Sequence, residues 1–255
     1  MSGPLLDLSG RAALVTGGSR GVGRATALML ARAGADVGIS YRSRRTEADE
    51  VVEALRRLGV RAWAQAGDLA RVEDVAALFE RAQAEFGGVD LVVVNHGVWP
   101  VEDVPLAGMD DARWRHTLQV NLDGAFYVCR EAARRIRDDG RIVLVGSTAG
   151  QRGEAYHGDY AASKGALISL VKGFCVELAP RGVTVNCVAP GWIDTEMAAP
   201  ALQGPERTRV EQGIPLGRVA TAEDVAGPIV FLCTGLARHI TGEVVNVNGG
   251  AVLAG

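Results

Sequence analysis

Short apolar runs alternate with longer stretches of helical period along this chain of 255 residues. Strands are predicted at 12–16, 36–41, 61–66, 91–95, 141–145, 183–188 and 243–247. Several, such as Leu91-Val92-Val93-Val94, are apolar throughout instead of alternating, the pattern of a strand covered on both faces. Helices are predicted between them, at 21–33, 46–58, 71–86, 114–137, 159–178 and 222–233. That alternation predicts an α/β fold with a parallel sheet wrapped on both sides. No Pro/Gly/Ser-rich linker, internal repeat or low-complexity block interrupts it, so one domain over 1–255 is expected. The least regular stretch, 191–215, is flanked or broken by Pro190, Pro200, Pro205 and Pro215 and is the candidate for a segment covering a site.

Composition narrows the class. With 48% hydrophobic and 22% charged residues, the chain can bury a substantial core. A net charge of −3 gives no sign of a nucleic-acid partner. No apolar run reaches the length of a membrane span, and 1–10 lacks a basic segment followed by an apolar one, so a cytoplasmic protein is expected. Cys129, Cys175, Cys187 and Cys233 are scattered among apolar neighbours and read as buried free thiols. His96, His116, His157 and His239 are dispersed too, so no metal site is expected.

Candidate chemistry begins at the first strand-to-helix turn, Thr16-Gly17-Gly18-Ser19-Arg20-Gly21-Val22-Gly23. Glycines allow backbone to approach a pyrophosphate closely, and a helix N-terminus offers free N–H groups and a favourable dipole. The spacing is Gly-x-x-x-Gly-x-Gly, and a plain tight turn would use the same residues. Its place between a strand and a helix favours a dinucleotide site formed by Gly17, Ser19, Arg20, Gly21, Val22 and Gly23. An acid at the end of the second strand would accept the adenosine ribose hydroxyls; here Tyr41-Arg42-Ser43 carries none. Arg42, with Arg20 converging, suits a 2′-phosphate and points to NADP(H), while Arg44 and Arg45 fit the solvated start of the next helix.

Tyr160 and Lys164 stand four residues apart, on one helix face. An ammonium beside a phenol is expected to lower its pKa of ~10 by about 1–3 units, which would suit proton exchange with an alcohol or carbonyl. A surface helix pair gives the same spacing, so the neighbours matter. Ser147, in Gly146-Ser147-Thr148 after a strand, lies where open α/β sheets place ligands and could hold a carbonyl oxygen. Thr148 is its rival, and either hydroxyl could instead cap the turn. Asn121, amid apolar residues, is either bonded to a neighbouring backbone or part of a water relay behind Lys164.

The glycine turn, Asn121, Ser147 and Tyr160…Lys164, in this order and spacing, resemble the short-chain dehydrogenase/reductase family over nearly the whole chain. The resemblance implies a doubly wound, seven-stranded Rossmann sheet flanked by helices. It implies adenine contacts from Asp68 and Leu69, cofactor contacts from Asn95, Gly97, Pro190 and Gly191, and nicotinamide and phosphate contacts from Ile193 and Thr195. Ser147 would orient the substrate oxygen, Tyr160 act as acid/base, Lys164 bind the nicotinamide ribose and lower the Tyr160 pKa, and Asn121 anchor a relay water. A homotetramer is also implied, which the apolar tail 251–254 could help to bury, though it could equally pack on its own subunit. Where the family commonly has Asn-Asn-Ala-Gly, this chain has Val94-Asn95-His96-Gly97; a satisfied structural histidine is the expectation, with a role in substrate choice as the alternative.

Within the family, residues 190–197, the segment Ile214-Pro215-Leu216-Gly217-Arg218 and the C-terminus look most like 3-oxoacyl-[acyl-carrier-protein] reductases. That implies an acyl-thioester substrate, possibly on acyl carrier protein, docking on Arg130, Arg134, Arg135, Arg137 and Arg181 near the site entrance. Those arginines could as well be a solvated helix face. The same features occur in relatives acting on sugars, steroids and other ketones. A silent dinucleotide-binding sensor is the reading from another class, and a tuned phenol would serve it no purpose.

Overall fold

The computed structural model describes residues 6–253. Seven strands, β1 (Ala12–Val15), β2 (Asp36–Tyr41), β3 (Ala62–Ala66), β4 (Val89–Val94), β5 (Ile136–Val145), β6 (Thr184–Pro190) and β7 (Val244–Val247), form one sheet in the order β3-β2-β1-β4-β5-β6-β7. Every pairing is parallel. Strand residues alternate faces, and β1 shows why its run is apolar throughout. Ala12 and Leu14 join a core with α3 (Val72–Phe86), α5 (Gly124–Arg135) and α7 (Gly158–Leu178). Ala13 and Val15 join another with α1 (Gly21–Arg32), α2 (Arg45–Arg57) and α9 (Ala222–Cys233). Both faces are therefore dry, and the expected doubly wound Rossmann-type sheet is what forms.

The helix expected over 114–137 is a run of three pieces. α4 (Asp111–Leu118), N-capped by Asp110, continues through a π-helical turn at Gln119–Asp123 into α5. A π turn inserts one residue and re-aims a side chain, and here it carries the fully buried Asn121. Strand β5 starts five residues earlier than expected, at Ile136, and its pairing with β4 shifts register between Val89 and Leu91.

Residues 191–215 hold α8 (Pro205–Gln212) and, with Val219 just beyond them, a small apolar cluster of Ala198, Leu202, Ile214 and Val219 with Trp192 and Val210 against it. The short helix α6 (Ala149–Arg152) follows β5. All four cysteines are free and buried. Among the described residues, no His/Cys/Asp/Glu group could hold a metal, and no helix is long and apolar enough to cross a membrane.

Candidate active site

Chain order reverses direction between β1 and β4, and the loops leaving such strands diverge into a crevice at their carboxyl ends. A cleft of ≈ 330 Å³ opens there. Of the residues expected to bind a cofactor, Gly23 alone does not line it; the cleft runs from Arg42 and Asp68 at one end to Tyr160 and Lys164 at the other.

Backbone geometry at the floor explains the glycines. Gly17 and Gly21 have φ of 64° and 51°, in the left-handed region. A Cβ on Gly23 would meet the Gly17 carbonyl oxygen and lie 2.6 Å from Asn95 Nδ2, so this glycine lets α1 press against the turn. Asn95 Nδ2 donates to the carbonyls of Thr16 (3.0 Å) and Gly17 (3.2 Å), tying β4 to the same turn. Helix α1 has no side-chain cap and no acid in its first turn. Its N-terminal N–H groups and positive dipole end therefore face the cleft without an internal anion.

Thr16 Oγ accepts from the backbone N–H of Asn95 (2.9 Å) and His96 (3.2 Å). With both lone pairs engaged, its proton points to His96 Nδ1 at 2.9 Å in preference to the Val93 carbonyl at 3.3 Å. The imidazole then carries its own proton on Nε2, which is buried without a partner. Burial, aided by the Lys164 cation, pushes the His96 pKa down to about 3. The expected satisfied histidine is thus only half satisfied, and the ring lines the cleft beside the glycine turn.

At the other end, Ser147, buried after β5, is a hydrogen-bond partner of the Tyr160 phenol. Its Oγ also accepts from Ala149 N at 3.1 Å. Thr148 faces a second cavity only, whereas Ser147 and Tyr160 line both. Lys164 Nζ donates to the Val145 carbonyl at 2.8 Å and lies 5.9 Å from the centre of the Tyr160 ring. Burial lowers the Lys164 pKa to about 8. The expected fall in the Tyr160 pKa does not occur in this state: burial pushes it up to about 12, outweighing the Ser147 hydrogen bond, with the Glu154 carboxylate adding to the rise. Desolvation of the phenolate exceeds any help from an ammonium that is itself aimed at a carbonyl.

Asn121 lies behind the cleft. Its Oδ1 accepts from Val98 N (2.7 Å), and its Nδ2 donates to Val98 O (2.9 Å) and Ser163 Oγ (3.1 Å). The bond to neighbouring backbone, one of its two expected roles, is formed. A Cβ on Gly97 would sit 3.0 Å from Asn121 Oδ1 and 3.5 Å from Lys164 Nζ, so this glycine leaves room for both.

A family model described as enoyl-(acyl carrier protein) reductase matches residues 17–252. The chain is 38% identical over 247 residues to 3-oxoacyl-[acyl-carrier-protein] reductase FabG of Aquifex aeolicus, covering 96% of this chain and 98% of that one. A solved short-chain dehydrogenase/reductase from Brucella melitensis, titled glucose/ribitol dehydrogenase, is 33% identical with a TM-score of 0.89, over 97% of this chain and 99% of its own. The chain belongs to the short-chain dehydrogenase/reductase family. A dehydrogenase/reductase from Sinorhizobium meliloti, 34% identical over 98% of both chains, superposes with a TM-score of 0.92.

As a short-chain dehydrogenase/reductase, the protein is a nicotinamide-dinucleotide-dependent oxidoreductase acting on CH–OH groups. Its residues fit that cofactor: an elongated cleft, a glycine floor that side chains would fill, and an uncapped helix N-terminus. Sequence reasoning missed Arg44, Glu196 and Met197, which also line the cleft. Glu196 pairs with Arg20 (2.8 Å) and Arg44 (3.6 Å), reaching from the 191–215 segment across to the glycine turn. Arg42 pairs with Asp68 (3.1 Å). Nothing in the sequence joins Glu196 to arginines more than 150 positions away.

One expectation fails on position. Arg134 and Arg135 pair with Glu131, Arg137 with Asp90, and Arg181 with Asp138 and the Ile136 carbonyl. Arg130 lies over the Phe126 and Tyr127 rings. Arg134, Arg135, Arg137 and Arg181 surround the start of β5, while the site lies past that strand's far end, on the order of 20–30 Å away. Helix α5 runs back antiparallel to the strands, which carries its last turn to the opposite edge of the sheet.

Proposed function

We propose that this protein uses NADP(H) to reduce a ketone to a secondary alcohol, with the 3-oxo group of an acyl thioester as the first candidate. What carries this reading is the meeting of Ser147 and Tyr160 where the two cavities join, with Lys164 beside them in the first. When bound, the reduced nicotinamide supplies the hydride. The substrate carbonyl oxygen sits between the Ser147 and Tyr160 hydroxyls, two donors that strengthen their hold as negative charge develops on it. Tyr160, kept protonated by burial, gives its proton to that oxygen. Lys164 supplies positive charge near the phenol and would hold the cofactor ribose. Asn121 fixes Val98 and Ser163, and so the wall behind them.

Preference for NADP(H) rests on Arg20, Arg42 and Arg44 around the adenosine end of the cleft, where the two acids, Asp68 and Glu196, are already paired, Asp68 with Arg42 and Glu196 with Arg20 and Arg44. Residues 191–215 form the substrate cover, through Trp192, Met197 and α8. The similarity to FabG proteins supports the acyl-thioester choice, and acyl carrier protein is the candidate carrier. The likeness to a glucose/ribitol dehydrogenase supports a second reading, oxidation of a polyol or other secondary alcohol. A homotetramer and a cytoplasmic location accompany the first reading.

The test is NADPH oxidation with acetoacetyl thioester, beside crotonyl thioester and a polyol panel run with NADP+. Turnover of the 3-oxo compound is expected. Activity confined to polyols, or to the carbon–carbon double bond, overturns the reading. Tyr160→Phe should keep NADPH affinity and lose roughly 10²–10⁴-fold in kcat; an unchanged rate would show that another group gives the proton.

A further inference from the structure

The second cavity, ≈ 420 Å³, begins at Ser147 and Tyr160 and extends under the 191–215 segment. Whatever is attached to the reacting carbonyl must lie in it. Two of the protein's four tryptophans form its corner: the rings of Trp99 and Trp192 meet edge to face, 5.8 Å apart at 83°. Trp99 is braced from behind by the buried His157, stacked at 4.9 Å and 16°. His157 and Trp192 hold Trp99 from two sides, and both indoles line the cavity with aromatic surface. Ile214 and Val252 complete the apolar wall.

Three charged side chains line this cavity, Arg152, Glu154 and Arg209. Arg209 is largely exposed and paired with Glu206, and Arg152 is exposed as well, so both belong to the rim. Glu154 is the inner one, with its side chain 18% exposed. Burial raises its pKa, while His157, the Trp99 indole N–H and Arg152 favour its charged form. It is near enough to Tyr160 to affect the phenol. A carboxylate accepts hydrogen bonds, and one set in an apolar pocket favours a ligand that brings a donor.

We propose that this pocket selects 3-oxoacyl thioesters whose distal group is a planar ring bearing a hydroxyl or N–H, the ring lying in the Trp99–Trp192 corner and its donor bonded to Glu154. This deepens the ketone-reductase reading above and rests on it. Linear acyl chains would leave the two indole surfaces unmatched and would bring no donor to the carboxylate beyond those the protein already supplies.

The experiment uses the full chain with NADPH and four N-acetylcysteamine thioesters: acetoacetyl, 3-oxohexanoyl, benzoylacetyl and 3-hydroxybenzoylacetyl. Wild-type kcat/KM should rise from the linear pair to the phenyl compound, and by at least about tenfold more on adding the ring hydroxyl, the scale of a hydrogen bond to a charged group. In Glu154→Gln the hydroxyl-to-phenyl ratio should fall to within about threefold. Any effect of Glu154 on the Tyr160 proton applies to both substrates and cancels in that ratio. Trp192→Leu, on the cover, should remove the preference for phenyl over linear chains. Linear thioesters reduced faster than both aryl ones, or a hydroxyl ratio that survives in Glu154→Gln, would overturn the proposal and leave the reductase reading standing. No NADPH oxidation with any of the four would overturn the reductase reading itself.

Discussion

Replacing Lys164 by methionine should uncouple function from stability, because the fold holds this ammonium against its preference. Lys164 is 4% exposed, and burial lowers its pKa from 10.5 to about 8. The folded state therefore sheds this proton first. Between those two values the unfolded state binds more protons, so the lysine makes stability rise with pH. At ~1.36 kcal/mol per pKa unit, keeping the charge buried at pH 7 costs about 3 kcal/mol, and about 2 kcal/mol of that is recovered by pH 9.5. Absolute stability will not show this cleanly. Burial raises the thiols of Cys129 and Cys233 to about 12 and Cys187 to about 11, so they lose stability over the same range. The informative quantity is the difference between wild type and Lys164→Met, from urea unfolding of the cofactor-free proteins at pH 7 and 9.5. Because Cys187 faces Lys164, the comparison is repeated in Cys187→Ala. Wild type should gain about 2 kcal/mol on the variant across the interval, while the variant is inactive throughout. A difference that stays flat to within about 0.5 kcal/mol would refute the buried-charge argument.

Three other outcomes follow from the site. Arg42→Ala should weaken NADPH binding at least about tenfold and spare NADH, the scale of a charge-assisted bond to phosphate; equal losses in a fluorescence titration would show that Arg42 does not read the 2′-phosphate. Gly23→Ala forces a methyl onto the Gly17 carbonyl oxygen and should cost about 1–3 kcal/mol in urea unfolding together with cofactor affinity, whereas an unchanged protein would mean that α1 can back away from the turn. His96, with its pKa lowered to about 3, resists protonation only while folded, so it contributes stability above its unfolded value near 6.5 that is lost as pH falls; His96→Ala should flatten the loss of thermal stability between pH 7 and 4.5, and an unaltered acid limb would count against the orphaned Nε2.

The sheet was legible in the sequence because its cause is local. A strand dry on both faces must be apolar at every position, and Leu91-Val92-Val93-Val94 could hardly read otherwise. The glycine turn was legible for a similar reason: positive φ and close backbone approach exclude side chains whatever surrounds them. Tyr160 and Lys164 share a helix, so their spacing by itself put them on one face.

Tertiary structure decided whatever depends on distant groups or on desolvation. The Tyr160 pKa was misjudged because a nearby cation can be counted along the chain and the water excluded from a phenol cannot. The arginine patch was misplaced because residues adjacent in sequence lie at opposite ends of the sheet once a helix turns the chain around. Glu196 across from Arg20, the Trp99–Trp192 corner and the inward Glu154 each join loops that leave different strands. Strand order and packing bring those loops together, and a linear pattern carries no record of which loops will meet.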